Sequence, residues 1–404
     1  MATTPAGHVG AMRTSAKRHS TGAVREPLLT PAFIRLALAD LGYFTAAGVA
    51  IYTLPAYVTG PVGSDQAGVG LAFGAFAITA LVLRPFAGRL SDTRGRRPVL
   101  LAGTLVAAAA MLLTPHAESL GTVVALRLAL GVAEAAFFVA SFAALADLAP
   151  PSRIGEALSY NSLGLYLGLA LGPPLGELLV RSLGFTAAWY GAAALLALAA
   201  GFVRAMGETR APLPEAAETP PLVHWRAVPA ALGFLASVVA MGGFLAFASL
   251  HADAVSLHPA SLPVAMYGVV VVVCRIAFAR VPDRLPPLPL GAAALATIGV
   301  GLVVMALWSS SLGTLVGAVL MGVGVTFSTP AFFSAVFATA SPSERGAASG
   351  TVSVALDLGL GGGPIVLGLV AQSAGIPSAF LVAGAVALAG AVWSAALSGG
   401  ILRH

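Results

Sequence analysis

Apolar runs of about twenty residues recur along nearly the whole chain, and nothing constrains its fold more, because about twenty residues of helix cross a bilayer. Of the 404 residues, 58% are hydrophobic and 9% are charged; a soluble domain carries about 25% charged residues. Backbone groups inside hydrocarbon must be satisfied within the chain, which leaves helices or closed barrels. A barrel reads as short alternating segments, not long apolar runs. The expectation is an all-α polytopic membrane protein. Cys274 is the only cysteine, so neither an intrachain disulfide nor a thiolate metal cluster is expected.

Twelve spans are expected, over 32–58, 67–87, 98–114, 120–146, 155–180, 185–203, 227–250, 262–279, 287–308, 313–338, 346–371 and 378–400. Residues 1–31 read as a polar, basic tail with Arg13, Lys17, Arg18 and Arg25, without the apolar core of a signal peptide. Residues 204–226 read as a linker rich in Pro and Glu that separates a half at 32–203 from a half at 227–404. The tails and the loops at 88–97, 147–155, 204–226, 280–286 and 341–346 hold sixteen of the twenty-one Lys and Arg; the opposite loops hold only Arg181. This bias places both termini in the cytoplasm of an inner-membrane protein. The basic net charge of +5 is therefore a topology signature, and no nucleic-acid partner is expected.

The two halves repeat at an offset of 191. That shift carries Gly172-Pro173 to Gly363-Pro364, Arg84 to Arg275, Asp92 to Asp283, Gly131 to Gly322 and Gly168 to Gly359. Shared apolar composition does not align Arg, Asp, Pro and Gly together. Two parallel, pseudo-symmetric six-helix halves follow, with a binding site near the midplane between them.

Between the second and third spans stands Gly88-Arg89-Leu90-Ser91-Asp92-Thr93-Arg94-Gly95-Arg96-Arg97. Gly88 is expected to let the chain leave its helix, Gly95 to permit the reversal, and the arginines to hold the loop in the cytoplasm. The stretch resembles motif A of the major facilitator superfamily, G-x-L-x-D-R-x-G-R-R/K, with Thr93 in place of the first arginine. The second-half copy around Asp283 is degenerate. By resemblance, Asp92 latches the cytoplasmic gate against the start of the eleventh helix, near Gly346. Leu126-Arg127-Leu128-Ala129-Leu130-Gly131 resembles motif B, whose arginine is associated with proton transfer. Gly164, Gly168, Gly172-Pro173 and Gly176 place a glycine face on the fifth span and resemble motif C of the superfamily's antiporters, with Glu177 replacing the final glycine.

Charges inside spans are costly and are functional candidates. Asp40, Glu134, Glu177 and Asp357 are the intramembrane acids, with Arg127 the deeply placed cation. Arg127, Gly131 and Glu134 share one face of the fourth helix. Arg127 is expected to bias a nearby carboxyl group, to hold an anionic group, or to form a fixed ion pair with Glu134 or Asp40. Asp40, followed by Tyr43 and Phe44 on a cavity-lining first helix, is expected to take up a proton, pair with a cationic substrate, or make an interhelical hydrogen bond. Asp357 lies deep in the eleventh span, and its repeat mate is Tyr166. Glu177 reads as solvated at an outer end. Arg84 and Arg275 are expected at the cytoplasmic ends of the second and eighth spans, either holding the gate through carbonyls or acids or reaching to lipid phosphate. Tyr43, Phe44, Phe137, Tyr160, Tyr166, Tyr267, Phe327 and Phe333 are aromatic candidates for the cavity wall.

No P-loop, metal-ligand cluster or intramembrane histidine is read, so an ATP-driven pump or an enzyme is not expected, and no cofactor is implied. Asn161 is the one clear intramembrane amide, which favours cargo less hydroxylated than sugar. The resemblance implies secondary, proton-coupled export of a drug or metabolite by rocking of the halves, in a functional monomer. Proton symport or facilitated uptake of a small metabolite, and a non-transporting receptor of the same fold, are the alternatives.

Overall fold

A computed structural model describes residues 28–150, 153–210, 224–341 and 344–400. The tail through residue 27, linker residues 211–223, and the side chains of Tyr160, Asn161 and Asp283 lie outside the described residues. Twelve long helices form: α1 Pro31–Thr59, α2 Gln66–Arg94, α3 Arg96–Leu113, α4 Leu120–Leu148, α5 Ile154–Leu183, α6 Phe185–Ala205, α7 Val228–Ala254, α8 Leu262–Ala277, α9 Pro287–Leu307, α10 Ser311–Phe337, α11 Arg345–Ala374 and α12 Ile376–Ser398. Eleven are long and apolar enough to cross a membrane; α8, at 16 residues, is shorter and is followed by a helical turn at Val281–Arg284. No strand is present among the described residues.

The ends of the helices follow from local chemistry. The side chains of Thr30, Asp65, Ser119 and Ser310 cap α1, α2, α4 and α10 by accepting the backbone N–H three residues on. Gly184 and Gly375, themselves 191 apart, join α5 to α6 and α11 to α12 with φ of 84° and 83°, a region only glycine enters without strain. Gly95 does the same between α2 and α3 at φ 103°. Its repeat mate is Pro286, at φ −59°, so the second half needs the turn at Val281–Arg284 to make its reversal. One expectation is corrected here. Gly88 does not release the chain from its helix: α2 runs on through the basic motif to Arg94, because nothing before Gly95 breaks the helical hydrogen bonding.

The sequence repeat becomes a repeat of contacts. A Cβ on Gly131 would strike the Phe76 carbonyl, and a Cβ on Gly322 would lie 3.0 Å from the Tyr267 carbonyl; both pairs are related by 191. A Cβ on Gly172 would lie 2.5 Å from Gly48 Cα, and one on Gly363 would lie 3.0 Å from Val239 Cα, again by the same shift. Small residues thus let α1 meet α5, and α7 meet α11, backbone to backbone. Between the halves, a Cβ on Gly361 would lie 2.9 Å from Ala77 Cβ, and one on Gly268 would lie 2.7 Å from Ala170 Cα. These are two-fold mates (77 + 191 = 268; 170 + 191 = 361). They place α2 against α11 and α5 against α8.

Gly172→Ala is expected to cost about 1–3 kcal/mol by overpacking the α1–α5 crossing. It should lower the thermal midpoint in detergent. Gly164→Ala, whose new methyl group would have no neighbour closer than 3.8 Å, should leave that midpoint unchanged.

Candidate functional site

A cavity of about 550 Å³ lies between the halves. Its wall is mostly apolar and aromatic, including Phe44, Phe76, Phe138, Phe234 and Phe333, and it carries three charged side chains, Arg127, Glu134 and Arg275. Of the aromatic candidates, Tyr43, Phe44, Tyr166 and Phe333 reach this wall. Phe137 stands behind it, stacked on Tyr43 at 3.8 Å, and Tyr267 is fully buried.

Beside the cavity is a buried charge cluster assembled from three helices and both halves. Arg84 on α2 donates from Nε to Asp357 Oδ2 on α11 (2.6 Å) and from Nη2 to Asp357 Oδ1 (2.8 Å). Its Nη2 also donates to Glu134 on α4, at 3.0 and 3.2 Å. The guanidinium lies over the Phe138 ring at 4.5 Å. Such a fork is a strong, directional arrangement for binding carboxylates. This corrects the expected end-of-span position of Arg84: because α2 continues to Arg94, Arg84 sits ten residues inside it. Its mate Arg275 meets the mate of Asp357. Arg275 lies over the Tyr166 ring at 4.6 Å and donates to its hydroxyl at 3.4 Å. One crossing of the halves is therefore ionic, and its two-fold counterpart is a cation on an aromatic ring.

Arg127 pairs with neither Glu134 nor Asp40, as the fixed-pair reading required. Its Nε donates to the Ala72 carbonyl (3.0 Å) and its Nη2 to the Phe73 carbonyl (3.4 Å), both on α2, and it lies 5.1 Å from the Phe76 ring. Asp40 is absent from the cavity wall. It is buried between α1 and α4 and accepts from the Ser141 hydroxyl at 2.8 and 3.1 Å, which is the interhelical hydrogen-bond reading. Glu177 is not solvated. It is 3% exposed and accepts from the backbone N–H groups of Ala260 (3.0 Å) and Ser261 (2.8 Å) at the start of α8. The absent motif C glycine is thus a carboxylate that joins the halves. On the other crossing Gln372 of α11 donates to Asp65 at the start of α2. His251 lies in the last turn of α7, near the span end as expected, and is buried against Phe380.

The glycine face of α5 turns toward α1. Gly168 meets Phe44 and Thr45, Gly172 meets Gly48, and Gly176 meets Val49, while α5 continues through Pro173 unbroken. The basic loop is tied to its own half. Asp92 bonds Arg96, whose Nε donates to Asp147 on α4 at 3.0 Å. Glu208, just past α6, caps α3 by accepting from the N–H groups of Arg96 (2.8 Å) and Arg97 (3.2 Å). Partial burial works against its charge, yet four backbone N–H groups hold its carboxyl below the usual range. A side chain on Gly95 would collide with this carboxylate. Sequence reasoning missed Glu208 and Asp147; the only available signal was an acid standing close to either end of a basic motif.

The Major Facilitator Superfamily model matches residues 36–359 and 232–399. An uncharacterized MFS-type transporter of Burkholderia mallei is 30% identical, covering 87% of this chain and 88% of its own. One from Salmonella typhimurium is 27% identical, covering 87% and 92%. A bacterial homolog to the human lysosomal transporter Spinster, solved inward-facing and occupied, superposes with a TM-score of 0.75 at 15% identity, covering 92% of this chain and 97% of that one. The human organic anion transporter MFSD10 superposes at 0.70 with 20% identity, covering 90% and 99%.

Removing one member of a buried ion cluster strands the others, at about 3–5 kcal/mol. Arg84→Gln is therefore expected to lower the thermal midpoint sharply, and adding Asp357→Asn to restore part of the loss. Glu177→Ala should loosen the contact between α5 and the start of α8. In a Cys274→Ser background, Ala252→Cys, at a site packed in a cluster with Tyr52 and Leu257, should then react faster with a membrane-impermeant maleimide.

Proposed function

We propose that this chain, which belongs to the Major Facilitator Superfamily, is a proton-coupled secondary transporter that exports a small amphipathic drug or metabolite by alternating access. The observation that carries the reading is the Arg84–Glu134–Asp357 cluster, which bridges the halves beside the cavity. Two acids share one guanidinium, so one proton can be taken up or released without stranding the arginine. Proton binding there weakens an ionic link between α2 and α11, and so couples the cluster to separation of the halves. With the basic loops in the cytoplasm of the inner membrane, the contacts at Gly361, Gly268 and Glu177 close the outer side, and the cavity faces inward. The Spinster homolog described as inward-facing is similar in shape. The cycle runs as follows. Cargo enters from the cytoplasm, the outer contacts part, the cytoplasmic side closes, and a proton from outside resets the cluster. The glycine face of α5 supports export, since it resembles the antiporter motif. One chain forms the whole cavity, which supports a functional monomer.

The cavity's charge favours a second reading. Arg127 and Arg275 both face the cavity. A proton on the cluster adds positive charge beside them, which helps an anion bind instead of displacing it. Proton and cargo would then move together.

Proteoliposomes with a pH gradient and an interior pH dye, screened against lipophilic cations, antibiotics and small metabolites, test both readings. Proton flux opposite to the cargo is expected, with uncoupling in Asp357→Asn and Glu134→Gln and retained coupling in Asp40→Asn. Flux in the same direction would select cotransport, and cargo movement without protons would remove coupling altogether.

A further inference from the structure

We propose that the cargo is an amphipathic organic anion whose acidic group docks on Arg127. The inference rests on the transport reading for the word cargo, and an anionic cargo favours its second form, in which proton and cargo move together. Most of the cavity wall is hydrocarbon and aromatic ring, so it takes an apolar body. Its charged groups then decide what else that body carries. Glu134 is bonded to Arg84, which it shares with Asp357, so that cluster offers an anion no free cation. Arg127 is different: its Nε and Nη2 are fixed on two α2 carbonyls, and its Nη1 has no hydrogen-bond partner among the described residues. No acid forms an ion pair with it among those residues. A full positive charge in an apolar wall is held at a cost unless it meets water or an anion. The bonds to Ala72 and Phe73 and the Phe76 ring fix the plane of the guanidinium, so the free edge is already oriented. A planar or tetrahedral acid group matches that edge.

Arg275 gives the second observation, from the other half of the molecule. Arg127 lies seven residues from the outer end of α4 (127 − 120), about 10 Å at 1.5 Å per residue. Arg275 lies thirteen residues from the outer end of α8 (275 − 262), about 20 Å. The two cations are therefore stacked in depth, with Arg275 toward the basic-loop side and Arg127 at the closed end. An anion entering from the basic-loop side passes the field of Arg275 and comes to rest at Arg127. A cation on the same path would meet like charge at Arg275 and again at Arg127.

The test uses three probes of one shape: naphthalene-2-sulfonate, its neutral sulfonamide, and 2-naphthyltrimethylammonium. Binding to the full chain in zwitterionic nanodiscs is measured by calorimetry. The sulfonate is expected to bind about tenfold or more tightly than the sulfonamide, as a charge-assisted contact requires. Arg127→Gln should abolish that preference while leaving sulfonamide affinity unchanged, which shows that the cavity is intact. Arg127→Lys should keep the charge preference in weakened form. Equal binding of the sulfonate and sulfonamide, a preference for the ammonium, no binding of the sulfonate, or a sulfonate preference that survives Arg127→Gln would overturn the proposal. Flux of the sulfonate into liposomes separates this from the transport reading. Arg127-dependent binding without flux would sink transport and leave the anion site standing.

Discussion

Small residues let the halves meet backbone to backbone, and the cavity and the ion cluster beside it depend on how closely they approach. Ala77 meets Gly361 where α2 crosses α11, and Ala170 meets Gly268 where α5 crosses α8. Between helices in lipid there is little hydrophobic drive, because hydrocarbon tails are as apolar as leucine; association comes from close van der Waals contact and polar bonds. A crossing made of glycine and alanine is tight when formed, yet it leaves no large interlocked side chains that must be pulled apart. That combination suits a surface that, in the proposed cycle, separates and re-forms. The 550 Å³ cavity lies between the halves beside these crossings.

Much of this was legible in the sequence, for a definite reason. The constraint that keeps residues small at a crossing acts on each half separately, so the repeat at 191 survives in Gly131 and Gly322, in Gly172 and Gly363, and in Gly184 and Gly375. The same offset that aligned the sequence reappears in the contacts. The acids and the fourth-helix face were equally visible, because charge in a span is rare enough to stand out.

What could not be read was who partners whom. Arg84 looked like an end-of-span arginine because Gly88 and the basic residues after it resemble a loop, whereas α2 carries them as helix to Arg94. Arg127 looked like the partner of Glu134 because both lie on one helix face, but that face is shared with α2, whose carbonyls and Arg84 take the two groups separately. Glu177 looked solvated because only the fold brings the start of α8 to it. Periodicity reports which face a residue occupies. It does not report which neighbouring helix supplies the complementary atom.

The two-fold relation also shows where the halves stopped being equivalent. Arg84 and Arg275 are mates, and so are Asp357 and Tyr166, yet one pair is ionic and the other is a guanidinium over a ring. Separating a buried carboxylate from its arginine leaves two charges to be paid for in a medium that solvates neither. Sliding a guanidinium off an aromatic face costs far less. The two crossings are therefore unequally costly to part. Each carries a carboxyl group, Asp357 on one and Glu177 against the backbone N–H groups at the start of α8 on the other, but only Asp357 is paired with a buried guanidinium. In the proposed cycle the proton acts on the Arg84–Glu134–Asp357 cluster and an anionic cargo on Arg127, whose guanidinium is bonded to α2 carbonyls, so both bear on the same helix, α2.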